Sequence, residues 1–193
     1  MREIKAIIIP GNGDNSPEDK WFPYVERELG KHGITVLNKK YPDPLLARKE
    51  YWLPFIKDQG ADENTILIGH SSGAVAAMRF AEENKILGSV LVSASVSDGG
   101  NEDEKKSGYF DTPWDWKAIK ENQKWIIQFA STDDPYISIT EAREIHKELD
   151  TDYHEYTDQG HFSYREQKLE FPELVAAITE KLGTKDVLIR SKL

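Results

Sequence analysis

Ser71 is the residue best placed for covalent chemistry. It stands in Gly69-His70-Ser71-Ser72-Gly73, behind the apolar run Ile66-Leu67-Ile68 and ahead of Ala74-Val75-Ala76-Ala77. That order predicts a strand, an abrupt turn and a helix, with the serine in a strained backbone and its Oγ facing a cleft. Gly69 and Gly73 remove side chains that would meet the neighbouring strand and helix. Two glycines and a serine recur at this spacing by chance in about one chain in fifteen, so the partners elsewhere in the chain must decide.

A serine hydroxyl is a poor nucleophile at neutral pH. It needs a base, and the base needs a third group to fix its tautomer. Five histidines compete for the base. His32 precedes Gly33 at a helix end, His146 lies in a helix pattern and His154 in a strand pattern. His70 adjoins the serine and is expected to point away from its Oγ. His161 follows Gly160 in a loop after a late strand, which makes it the expected base. Asp133 and Asp134 compete for the acid. Asp134-Pro135-Tyr136-Ile137 has the register of an acid, a proline and an apolar pair, so Asp134 is preferred and Asp133 is left to cap the loop. The chain order Ser71, Asp134, His161 is the order used by α/β-hydrolases. Two backbone N–H groups must meet the developing oxyanion. Ser72, at the helix start, supplies one, and Asn12 in Pro10-Gly11-Asn12-Gly13 is expected to supply the other. A phosphate loop is excluded there, because no Gly-Lys-Ser/Thr follows.

These residues need a scaffold that brings distant loops together. Ala6-Ile7-Ile8-Ile9 and Ser89-Val90-Leu91-Val92-Ser93 are continuous apolar runs, as in parallel strands buried on both faces. Residues 34–37, 65–68, 125–130 and 153–156 complete six strands. Helices are expected at 21–29, 45–56 (interrupted at Pro54), 74–83, 140–149 and 171–182. The alternation predicts an α/β three-layer sandwich with a mostly parallel six-stranded sheet. Asn12, Ser71, Asp134 and His161 each follow a different strand, so they converge on the carboxyl edge, where such sheets bind ligands. Residues 1–183 form a single domain and 184–193 a tail. Tyr109, Phe110 and Trp114, between the fourth and fifth strands, are candidates for the substrate pocket. Packing onto the body as a satellite core is the equal alternative.

Composition narrows the function classes. The 193 residues carry a formal net charge of −9, which argues against nucleic acid or an anionic membrane as partner. Without cysteine, disulfides, thiolate zinc sites and a cysteine nucleophile are excluded, and a cytoplasmic setting fits. No metal or cofactor is called for. Met1-Arg2-Glu3-Ile4-Lys5 leads straight into a strand rather than a signal peptide, and no apolar run approaches a membrane span. The chain closes on Ser191-Lys192-Leu193, a peroxisomal address if the host is eukaryotic.

Several stretches together carry a family resemblance. They are Ile9-Pro10-Gly11-Asn12-Gly13, Ile68-Gly69-His70-Ser71-Ser72-Gly73-Ala74, Ser107-Gly108-Tyr109-Phe110 with Pro113-Trp114-Asp115-Trp116, Ser131-Thr132-Asp133-Asp134-Pro135, and Gly160-His161-Phe162. Over about Ile7 to Leu182 the chain resembles the retinoblastoma-binding protein nine family of small, nearly capless α/β-hydrolases. The resemblance implies a serine hydrolase with Ser71, Asp134 and His161 as triad; a monomer is expected. It implies a small-molecule or short-peptide substrate cleaved at an ester or amide, aminopeptidase-like action included. Retinoblastoma pocket-protein binding is not implied. The stretch aligned with L-x-C-x-E reads Gln59-Gly60-Ala61-Asp62-Glu63 and keeps only the glutamate. The rival to an enzyme is a binding protein on the same scaffold with an idle triad.

Overall fold

The computed structural model describes residues 3–13, 16–163 and 168–183. The tail from 184, with Ser191-Lys192-Leu193, lies outside the described residues. Six strands form one sheet: β1 (Lys5–Ile9), β2 (Thr35–Asn38), β3 (Thr65–His70), β4 (Gly88–Val92), β5 (Ile126–Ser131) and β6 (Asp152–Tyr156). Their order is β2-β1-β3-β4-β5-β6, and every pairing is parallel. The helices are α1 (Phe22–Lys31), α2 (Lys49–Asp58), α3 (Ser72–Glu83), α4 (Glu102–Ser107), α5 (Trp116–Glu121), α6 (Ile139–Leu149) and α7 (Pro172–Leu182). Among the described residues no helix is long and apolar enough to cross a membrane.

The apolar strand runs follow from burial on both faces. Ala6, Ile8, Ile66, Ile68, Val90 and Val92 point to the layer of α1 and α7, where they meet Val25, Leu29, Leu174 and Ile178. Their alternates Ile7, Ile9, Leu67 and Leu91 point the other way, onto Trp52, Ile56, Ala77, Ile119 and Ile145 of α2, α3, α5 and α6. Successive side chains on a strand take opposite faces, so a strand covered twice reads as an unbroken apolar run. From β1 the chain moves out to β2, then returns past β1 to β3. Above the carboxyl ends of β1 and β3 the strand order reverses and a crevice opens.

The structure departs from the sequence reading in three places. The helix expected from Leu45 begins at Lys49; Asp43 and Ala47 before it take positive φ (47° and 52°), and this segment turns rather than coils. Pro54 lies inside α2 without interrupting it. The backbone bond it removes falls on the outer side, where Pro54 and Glu50 are both exposed. Trp52 and Ile56 stay buried, and the Trp52 indole N–H donates to the Pro42 carbonyl at 2.7 Å. The polar stretch before Ser107 contains a helix, α4. Asn101 caps it by accepting from the Asp103 and Glu104 N–H groups, and Gly108 ends it in the left-handed region at φ 78°.

The aromatics take the satellite-core placement. Tyr109 is fully buried, and Phe110 and Trp114 pack against the same core as α3. They are organised by Arg79 of α3, itself 6% exposed. Its guanidinium donates to the carbonyls of Tyr109 (2.8 Å), Thr112 (2.6 Å) and Pro113 (3.1 Å) and to Glu82 (2.7 Å). It also lies 3.7 Å from the Trp114 ring centroid. Trp114 stacks on Trp116 at 5.4 Å, and its indole N–H donates to the Val96 carbonyl. Arg79→Ala should therefore unseat this segment, removing the guanidinium donor from three carbonyls and the ion pair from Glu82, which keeps only the Asp115 N–H. A loss of about 3 kcal/mol or more is expected, read as a fall of roughly 6–12 °C in the thermal midpoint. A midpoint within a degree of the parent would overturn that account.

Candidate active site

Ser71 sits between β3 and α3 with φ 55° and ψ −124°. A non-glycine residue in such a conformation costs about 1–3 kcal/mol and persists only where its surroundings impose it. Here they do. The Ser71 N–H donates to the Val92 carbonyl at 2.8 Å, and its own carbonyl accepts from Ala74 and Val75. The flanking glycines are obligatory. A Cβ on Gly69 would lie 2.4 Å from the Gly73 carbonyl oxygen, and one on Gly73 would lie 2.2 Å from that of Ile9. Backbone contacts of that kind allow no side chain, and they press α3 against the end of β1.

His161 and Asp134 meet from loops after β6 and β5. The imidazole Nδ1 lies 2.8 Å from Asp134 Oδ2 and 3.0 Å from Oδ1. Their side chains are 10% and 3% exposed. Burial would raise the Asp134 carboxyl, but the His161 hydrogen bond and charge, with the Tyr136 and Ile137 N–H groups, outweigh it and hold it below the usual range. Asp133 has a different task. It accepts from Ser131 Oγ at 2.5 Å and from the Gly160 N–H at 2.9 Å, and so fixes the loop that presents His161.

Ser71, His161, Asn12 and Ser72 line one cleft of about 490 Å³. As the first residue of α3, Ser72 carries an N–H with no partner in the helix ladder. One wall is formed by Pro135, Tyr136 and Ile137; Tyr136 is exposed, its ring edge-on to His161 at 4.9 Å. The lining also includes serines and three carboxylates, Asp98, Glu104 and Glu141. Tyr109, Phe110 and Trp114 line none of it, a correction to their reading as substrate-pocket residues. Arg79 binds the carbonyls around them and draws their rings onto α3, on the body of the protein. Among the described residues no three His, Asp or Glu side chains gather as a metal-ligand set.

Around the site, Ser93, Lys20 and Glu104 carry no mark in the sequence, and His70 reads there only as a rival base that points away from Ser71 Oγ. Ser93, at φ 50° just past β4, donates from Oγ to Asp134 Oδ2 at 2.9 Å. His70 is 1% exposed; its Nε2–H donates to the His161 carbonyl at 2.8 Å, and its ring lies 4.9 Å from the His161 ring. Burial, then the charges of Lys20 and His161, keep His70 neutral well below the usual imidazole range, so it supports His161 rather than competing with it. Lys20 takes φ 55° and reaches the cleft, where burial brings its ammonium down to about 8. Burial pushes the Glu104 carboxyl up, against the pull of its Ser72 hydrogen bond. No periodicity marks any of these four, because each acts through the fold.

A parallel sheet with this strand order, and a strained serine above its carboxyl edge, defines the α/β-hydrolase class. The family model described as serine hydrolase matches residues 6–180, and the chain belongs to that family. It is 45% identical over 181 residues to serine hydrolase RBBP9 of Rattus norvegicus, covering 92% of this chain and 95% of the relative. Its structure is similar to the crystal structure of the ydeN gene product of B. subtilis. That match has a TM-score of 0.83 and 25% identity, over 94% of this chain and all of that one. The fold is shared with Est1E of Butyrivibrio proteoclasticus at a TM-score of 0.71 and 14% identity, over 94% and 87% of the two chains. The protein is thus a serine hydrolase, an enzyme of the small RBBP9-like kind.

Proposed function

We propose that the enzyme cleaves small esters or amides through an acyl-enzyme on Ser71, with His161 as base and Asp134 as the orienting acid. The observation that carries this is the pairing of His161 Nδ1 with Asp134 at 2.8 Å, with His161 lining the same cleft as Ser71. With Nδ1–H donating to the carboxylate, the Nε2 lone pair is left to take the serine proton. The Ser71 oxygen adds to the substrate carbonyl, and the backbone N–H groups of Asn12 and Ser72 receive the oxyanion. The imidazolium then protonates the leaving group, the C–O or C–N bond breaks, and water repeats the sequence to release the acid. Three carboxylates against one lysine along the cleft suit a substrate with a free amine, as aminopeptidase-like action requires.

A fluorophosphonate probe tests the reading directly. The folded protein should lose fluoride from the probe and gain one phosphonyl group, found by mass spectrometry on the peptide containing Ser71. A folded protein that takes up no phosphonyl group, or takes it up elsewhere, would overturn the assignment.

A further inference from the structure

The acyl-enzyme route makes no use of one carboxylate in the cleft. Glu104 in α4 is half-buried, and both hydrogen bonds to its carboxylate end on one oxygen, Oε1. Asn12 Nδ2 donates to it at 2.8 Å and Ser72 Oγ at 3.1 Å. Those donors belong to the two residues whose backbone N–H groups receive the oxyanion in the route above. They come from different parts of the fold, Asn12 from the loop after β1 and Ser72 from the start of α3. We propose that Glu104 is a positioning residue for the oxyanion hole, tying the Asn12 loop to α3 and setting the separation of the two backbone donors. The proposal rests on the acyl-enzyme reading.

The two sides of this tie differ in stiffness. Ser72 is held by α3 and by the contact of Gly73 with the end of β1. Asn12 lies between Gly11 and Gly13, and Gly13 takes φ 104°. A segment with two glycines has little stiffness of its own. Its far end is held where the Gly13 N–H donates to the Pro44 carbonyl at 2.8 Å. The Asn12 side chain anchors the near end onto Glu104. Glu104 is itself pinned, since its N–H donates to Asn101 Oδ1 and its carbonyl accepts from Ser107 Oγ at 2.5 Å. An oxyanion hole works because its donors are aimed before the reaction begins, and one lost donor costs about 10²–10³ in kcat. A donor that is merely loosened should cost less.

The test compares Glu104→Ala with Glu104→Gln on a neutral ester, p-nitrophenyl acetate, and on the rate of fluorophosphonate labelling, whose phosphonyl oxygen enters the same hole. Glutamine keeps an oxygen that accepts from both donors and removes only the charge. Alanine removes the tie. E104A should lose roughly 10- to 100-fold in kcat and in labelling rate with KM little changed, as a partial loss of one donor. E104Q should stay within about threefold of the parent, since its acceptor geometry is retained. Asn12→Ala keeps its backbone N–H and cuts the tie from the other side. It should lose kcat likewise, and N12A/E104A should be no worse than either single variant. This arm also decides the matter if E104A fails to fold. Parent-like kinetics for E104A, or for N12A, would overturn the proposal. Equal losses in E104A and E104Q would do the same, as would a loss confined to KM for an amine-bearing ester, which would make Glu104 a cation anchor. If the parent protein takes no label, the acyl-enzyme reading falls and the tie with it. A labelled parent with an unaffected E104A sinks the tie alone.

Discussion

Ser71→Ala should lower turnover of a small ester by about 10⁴-fold or more while leaving the thermal midpoint almost unchanged. The size follows from what is removed. Without the oxygen nucleophile no acyl-enzyme forms, and only the cleft and its backbone donors remain to act on water. The fold should tolerate the change because the Oγ carries no structural role. The strained turn is held by backbone bonds from Ser71 to Val92, Ala74 and Val75, which alanine retains. Gly69 and Gly73, whose close contacts force the turn, are untouched. Steady-state kinetics with circular dichroism on the same preparation check both halves. Undiminished hydrolysis by a folded Ser71→Ala would sink the assignment of the nucleophile.

Asp134→Asn should be nearly as damaging, with a fall in kcat on the order of 10³–10⁴. Asparagine fits the same space, and its one amide oxygen can still accept from the Tyr136 and Ile137 N–H groups, while its NH2 replaces the oxygen that accepts from Ser93 Oγ. It cannot hold His161 in the tautomer that leaves Nε2 free, nor balance an imidazolium. Asp133→Asn should cost less than about tenfold, because a neutral amide oxygen can still accept from Ser131 and Gly160. Reversed effects would move the acid one residue upstream. The same pair bears on acid stability. The Asp134 carboxyl sits below its ordinary value in the folded protein, so its contribution is complete above the usual carboxylate range and is lost as pH falls through the depressed value. Asp134→Asn should therefore flatten part of the acid limb of the unfolding curve.

The apolar strand runs, the elbow and the order of serine, acid and histidine were legible in the chain because each is a local property. A strand buried on both faces must be apolar throughout, as at Ala6 to Ile9. A turn that brings Gly73 within van der Waals reach of Ile9 admits no side chain, so glycine stands there whatever surrounds it. Loops that follow parallel strands all reach the same edge, so Asn12, Ser71, Asp134 and His161 group there from their places in the sequence. Short-range signals also carried less than they suggested. Pro54 reads as a break, yet the burial of Trp52 and Ile56 carries α2 through it.

Tertiary structure alone decided which residues support the site. Ser93 reaches Asp134 across 41 positions, His70 reaches His161 across 91, and Asn12 reaches Glu104 across 92. Hydrogen bonds at such separations impose no period and no neighbouring residue type, so nothing in the linear chain marks them. The aromatic segment shows the same limit. Tyr109, Phe110 and Trp114 have the composition of a pocket wall, and where they face was decided by a buried arginine on α3 whose donors match the carbonyls of their own backbone. Composition states what a side chain can contact; only the packed chain brings the contact within reach.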